Sequence, residues 1–198
     1  MPGNRLVMSH AQESKAGTPR RRRRLSRRWR ALIGVVAGLF LALTVATAEL
    51  LVWPAQGMPA QVSAIVMLAG PGDRLPVALD LAGAHRAPVL VVSQGYDGYG
   101  GPCPPRPSGV TLICFDPSPP TTRGEAEYIG RLASQHHWTS VVVVASRPQA
   151  TRARMLVGRC FSGPVYIATG PLPLRSWPYQ LAYGWGALVK ALVVHRTC

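Results

Sequence analysis

Residues 139–145 read TSVVVVA, four consecutive valines with no alternation of polar and apolar positions. β-Branched residues favour extended backbone, and a strand apolar on both faces needs cover on both faces, the setting of a strand inside a parallel sheet. Helical patterns flank it, Thr121 to His137 before and Gln149 to Cys160 after. Working outward, the alternation recurs. Ser63 to Ala69 (SAIVMLA), Ala87 to Ser93 (APVLVVS), Val110 to Phe115 (VTLICF) and Val165 to Ala168 read as further buried strands. A helix is expected from near Asp73, with Asp73 as its cap, and a closing helix over Gln180 to Val194. Gln94 to Ser108 is too rich in Gly and Pro for a helix. The fold class expected for residues 63–198 is α/β: a Rossmann-like three-layer α/β/α domain with a mostly parallel sheet.

Upstream, the composition changes. The chain of 198 residues carries a formal charge of +14, but residues 1–30 hold ten Lys/Arg against Glu13 alone. Next comes ALIGVVAGLFLALTVATA, Ala31 to Ala48, apolar again through Trp53 after Glu49. About 20 such residues cross a bilayer core of about 30 Å. We therefore expect a basic arm (1–30), disordered and cytoplasmic, a transmembrane helix (31–53) and a linker (54–62), with an N-terminus held inside by its arginines and a folded domain outside. Trp29 and Trp53 bracket the span as interfacial anchors. Ala46-Thr47-Ala48 fits a cleavage pattern and Ser26-Arg27-Arg28 partly resembles a twin-arginine signal, but the length of the apolar run favours an uncleaved anchor. Anionic inner-leaflet lipid accounts for the arginine run, so no nucleic acid is expected as a partner.

Four cysteines, Cys103, Cys114, Cys160 and Cys198, all follow the span, and an even number in an oxidising space suggests two disulfides. No CxxC occurs, and zinc is not expected. Sequence leaves three connectivities open. In the expected topology Cys160 and Cys198 end helices at the same sheet edge, which favours pairing them, and Cys103 with Cys114.

In parallel sheets ligands bind beyond the carboxyl ends of the strands. That edge gathers Gly70, Gly72, Arg74, Ser93, Gly95, Thr121, Thr122, Ser146, Gln149 and Arg152 as candidate ligand-binding residues, with Glu125, assisted by Asp73, as the candidate acid or base. Arg152 and Arg154 suit phosphate or carboxylate recognition. Gly70-x-Gly72 lacks the third glycine of a dinucleotide fingerprint, and Ser93 stands where a ribose-binding acid belongs. No cofactor is expected. His136 and His137 lie about 100° apart on a helix and do not converge on a metal. Neither Ser93 nor Ser146 sits in a nucleophile elbow.

The order of these pieces carries a resemblance: Ile65 to Arg74, then Val91-Val92-Ser93-x-Gly95, then Pro119-x-Thr121-Thr122-x-Gly124-Glu125-Ala126, then Val141 to Ser146 followed by Arg152-Ala153-Arg154 and Arg159-Cys160-Phe161. From Ser63 to Ile167 the chain resembles the YdcF/SanA/ElyC-like family of bacterial envelope proteins, in an actinobacterial, membrane-anchored form. The resemblance implies a Rossmann-like domain outside the plasma membrane, linked to envelope integrity and to lipid-carrier or peptidoglycan metabolism; a cytoplasmic relative binds S-adenosylmethionine. Where the family commonly has Thr-Ser-x-Tyr-His, this chain has Ala145-Ser146-Arg147-Pro148-Gln149, an amide in place of an imidazole, and Gly184 replaces a frequent Glu. The expectation is a single-pass plasma-membrane protein whose outside domain binds an anionic ligand, a phosphate, lipid carrier or nucleotide-like molecule. A transferase or phosphate-ester hydrolase using Glu125, and a ligand-less scaffold for envelope proteins, are the alternatives.

Overall fold

A computed structural model describes residues 26–95 and 102–198. The arm through residue 25 and the middle of the Gly/Pro-rich segment lie outside the described residues. The chain divides between Leu39 and Phe40 into two compact units. That division falls inside helix α1 (Arg27–Thr47), which a π-helical turn (Ala48–Val52) extends. Together these 26 residues have a mean hydropathy of 2.3 in their most apolar window, none of it buried, and are long and apolar enough to cross a membrane.

The second unit holds the α/β fold. Strands β1 (Ala64–Met67), β2 (Val89–Ser93), β3 (Thr111–Phe115), β4 (Val141–Ser146) and β5 (Val165–Gly170) form one parallel sheet in the order β3-β2-β1-β4-β5. Helices α2 (Leu75–Gly83), α3 (Thr122–Gln135), α4 (Arg147–Cys160) and α5 (Trp177–Val193) complete it. The valine run explains the layering. In β4, Val142 and Val144 join Ile65, Met67, Leu90 and Val92 in a core under Ala78 and Ala82 of α2. Val141, Val143 and Ala145 join Val66 and Val91 in the opposite core, under Ile129 of α3 and Ala153 and Val157 of α4. All six β4 residues are buried, and its one polar residue, Ser146, stands at the carboxyl end of the strand where the crevice opens.

The strands fall where expected, but α1 begins at Arg27, inside the arm expected to be disordered through residue 30, α4 and α5 begin at Arg147 and Trp177 rather than at Gln149 and Gln180, and one helix cap is corrected. Asp73 does not cap α2. The helix is flanked by Arg74 in helical conformation without a side-chain cap, and the Asp73 N–H donates to the Pro171 carbonyl at 3.0 Å. Two disulfides join Cys103 to Cys114 and Cys160 to Cys198, with Cα atoms 5.9 and 4.9 Å apart. The second links the end of α4 to the last residue and clamps the tail beyond α5. It closes a separation of 38 residues, for which loop-closure entropy gives about 4 kcal/mol. Replacing Cys160 and Cys198 together by Ser is expected to lower the unfolding free energy by up to about that amount, read by denaturant titration against reduced and oxidised protein.

Candidate functional site

The strand order reverses at β1, so the connections leaving β1 and β4 diverge and open a crevice at their carboxyl ends. A pocket of about 320 Å³ occupies it. Its floor and walls come from Ala69 to Pro71 after β1, Gly95 after β2, Thr121, Thr122 and Glu125 at the start of α3, and Ser146, Pro148, Gln149 and Arg152. Helix α5 closes the remaining side with Tyr179, Gln180, Tyr183 and Gly184.

Glu125 is placed by the way α3 begins. Thr121, in extended conformation, accepts the Gly124 N–H at 3.2 Å through its hydroxyl. Gly124 lies so close to the Pro119 backbone that a Cβ there would overlap the Pro119 carbonyl oxygen. This seats the first turn deep enough for Glu125, 3% exposed, to reach the strand, where its Oε1 accepts the Ala69 N–H at 2.6 Å. Burial pushes the carboxyl up to about 7, against the Ala69 amide, the Ser93 hydroxyl and the charges of Arg74 and Arg152, which hold it down. The Ser93 hydroxyl is fully buried and has no partner in good hydrogen-bond geometry among the described residues. Gly124→Ala is expected to cost about 1–3 kcal/mol of stability by overpacking, and to expose Glu125, read as a carboxyl titration moving back toward 4.5.

Arg74 supplies the positive charge. It is 5% exposed, and neither Nε nor Nη1 has a partner among the described residues. Burial lowers its pKa to about 10, opposed by Glu125 and Asp73, so the group stays charged at neutral pH. A Cβ on Gly70 would stand 3.0 Å from Arg74 Nη1 and 3.3 Å from Gln149 Oε1. Gly70, at φ 130°, is thus required both for its conformation and for the two polar atoms that approach it. The Gln149 amide Nε2 donates to the Ala69 carbonyl at 3.1 Å and lies 3.5 Å from Thr122 Oγ1. Its Oε1 has no partner among the described residues. Arg152 lies over the Tyr183 ring, 5.5 Å from its centroid, where the ring face attracts the cation and fixes it at the rim.

The candidates divide accordingly. Gly70, Gly95, Thr121, Thr122, Glu125, Ser146, Gln149 and Arg152 line one pocket, Ser93 lies beneath it and Arg74 adjoins it through Gly70. Asp73 is exposed and outside the lining. Gly72, also outside the lining, packs on the Pro171 carbonyl, 2.6 Å from where its Cβ would be. Arg154 turns to the chain after the anchor, its Nη2 donating to the Ala55 carbonyl at 2.6 Å. His136 and His137 follow the end of α3, and among the described residues no group of three His, Cys, Asp or Glu is placed to hold a metal. The sequence reading missed Tyr179, Gln180 and Tyr183, which a return of α5 over the crevice brings in. Their helical spacing was visible; their destination was not.

No family model, curated protein or solved structure matches the chain. Fold and site are the basis for a functional reading.

Proposed function

We propose that this is a membrane-anchored protein whose α/β domain, held outside the plasma membrane with the N-terminus in the cytoplasm, binds a phosphorylated or similarly anionic ligand in the crevice. The observation that carries this reading is Arg74: a charged guanidinium buried behind Gly70 of the pocket wall, with two N–H-bearing nitrogens unpartnered among the described residues. Such a group is costly unless an anion completes it. Arg152 adds a second positive charge at the rim, and Glu125, neutral in part at pH 7, offsets only some of the total. Gln149 Oε1 offers an acceptor to a ligand hydroxyl. The resemblance to YdcF/SanA/ElyC-like envelope proteins supports a lipid-carrier phosphate or nucleotide-like ligand in envelope or peptidoglycan maintenance. The test is thermal stabilisation of the full chain in detergent by inorganic phosphate, pyrophosphate and short-chain prenyl phosphates. Ligand at 100 times its dissociation constant adds about 2.7 kcal/mol. Absence of any shift counts against the reading and in favour of a ligand-less scaffold.

Glu125 favours a second reading. A carboxyl with a pKa of about 7 beside an anion site is poised to exchange a proton near neutral pH, as a transferase or phosphate-ester hydrolase requires. Turnover of p-nitrophenyl phosphate with an inflection near pH 7 that disappears in Glu125→Gln is the expected sign. Undiminished turnover by that variant removes the idea.

A further inference from the structure

Helix α5 is largely apolar where it faces solvent, Lys190 being its one exposed charged residue. Tyr179, Tyr183, Val189 and Val193 are 68%, 51%, 52% and 58% exposed and follow one another on one face. From Pro171 to Cys198 there is no Asp or Glu, while Arg175, Lys190 and Arg196 are basic. Aromatic residues, an apolar face and basic charge together make a helix suited to the boundary between headgroups and acyl chains.

The same helix is joined to the anchor. Phe40 to Val52 belong to the same compact unit as the α/β fold. Trp185 Nε1 donates to Thr47 Oγ1 at 3.0 Å, and Thr151 in α4 donates to the Leu50 carbonyl at 2.5 Å. Leu51 is 1% exposed and sits 3.4 Å from where a Cβ on Gly184 would stand. Thr47 lies within the apolar stretch that is long enough to span a bilayer. The middle of α5 therefore sits at the level of the anchor's last turns.

We propose that α5 rests on the lipid bilayer, its exposed stripe inserted at the surface on the domain's side of the membrane. Continuity with the anchor and the absence of acidic residues from Pro171 to Cys198 select lipid as the occupant. Tyr179 and Tyr183 belong to both the stripe and the pocket lining. A bound ligand thus meets the membrane surface at the pocket mouth. That consequence rests on the ligand-binding reading, whereas the docking of α5 does not.

The test uses the full chain reconstituted in phosphatidylcholine vesicles containing phosphatidylglycerol. An environment-sensitive fluorescent amino acid is introduced at Val189, or at exposed Asp80 on α2, which covers the other face of the sheet. Lipids spin-labelled near the headgroup are expected to quench the Val189 probe at least three-fold more than the Asp80 probe, and Tyr183→Ser with Val193→Ser to reduce that difference. Equal quenching at the two sites overturns the proposal. So does protection of Val189 that depends on protein-to-lipid ratio and yields energy transfer between chains, the signature of a second copy on this face. Either result leaves phosphate binding in detergent unaffected, so the two readings fail separately.

Discussion

Glu125→Gln is expected to raise the unfolding midpoint at pH 8 by roughly 10 °C and to leave it nearly unchanged at pH 4. The sign follows from linkage. The folded-state pKa of about 7 lies above the ordinary 4.5, so between those values the folded protein holds a proton that the unfolded chain releases. Stability from this group is fully present below pH 4.5 and is lost as pH rises through 7. A displacement of that size corresponds to on the order of 3 kcal/mol, carried by a side chain that is 3% exposed and so little screened by solvent. Glutamine resembles the protonated acid. Its Oε1 can accept the Ala69 N–H as Glu125 does, without the cost of a buried charge. Thermal melts of both proteins over pH 4 to 8 check this. Parallel curves would show that Glu125 is ionised without penalty, and would remove the basis for acid-base chemistry.

The sheet was legible because its strands are apolar on both faces, a pattern that depends on burial alone. Helix starts were legible where local chemistry sets them, as at Thr121 with Gly124. Asp73 was misread for a nonlocal reason: the turn at Gly72 packs on Pro171, some 100 residues later in sequence, and leaves Asp73 outward. The chain that follows Pro171 also explains why one side of the pocket wall was invisible. Tyr179 and Tyr183 reach the crevice only because α5 crosses its mouth, and α5 is held by Trp185 on Thr47 and by the Cys160–Cys198 bridge. Strand ends nominate a crevice; they do not say which distant helix covers it.

Arg74→Met is expected to weaken phosphate binding about 10- to 100-fold, the loss of one charge-assisted hydrogen bond of about 1.5–3 kcal/mol, while leaving the unliganded domain folded and no less stable at pH 5. A purely structural arginine predicts the reverse. Were Arg74 there to hold the fold, its nitrogens would find partners in the protein, but Nε and Nη1 have none among the described residues, and burial lowers its pKa to about 10. Methionine fills similar space without the charge. The variant also has a second signature, because the Arg74 charge helps to hold the Glu125 carboxyl down. Its removal moves the pH dependence of stability upward from about 7. Arg74→Lys keeps the charge and is expected to restore the Glu125 titration more fully than the affinity, since an ammonium lacks the planar fork that grips a phosphate. Calorimetric titration with phosphate and pH-dependent melts of the three proteins separate these effects. Retained affinity in Arg74→Met would shift the anion site to Arg152 alone, at the rim beside Tyr183.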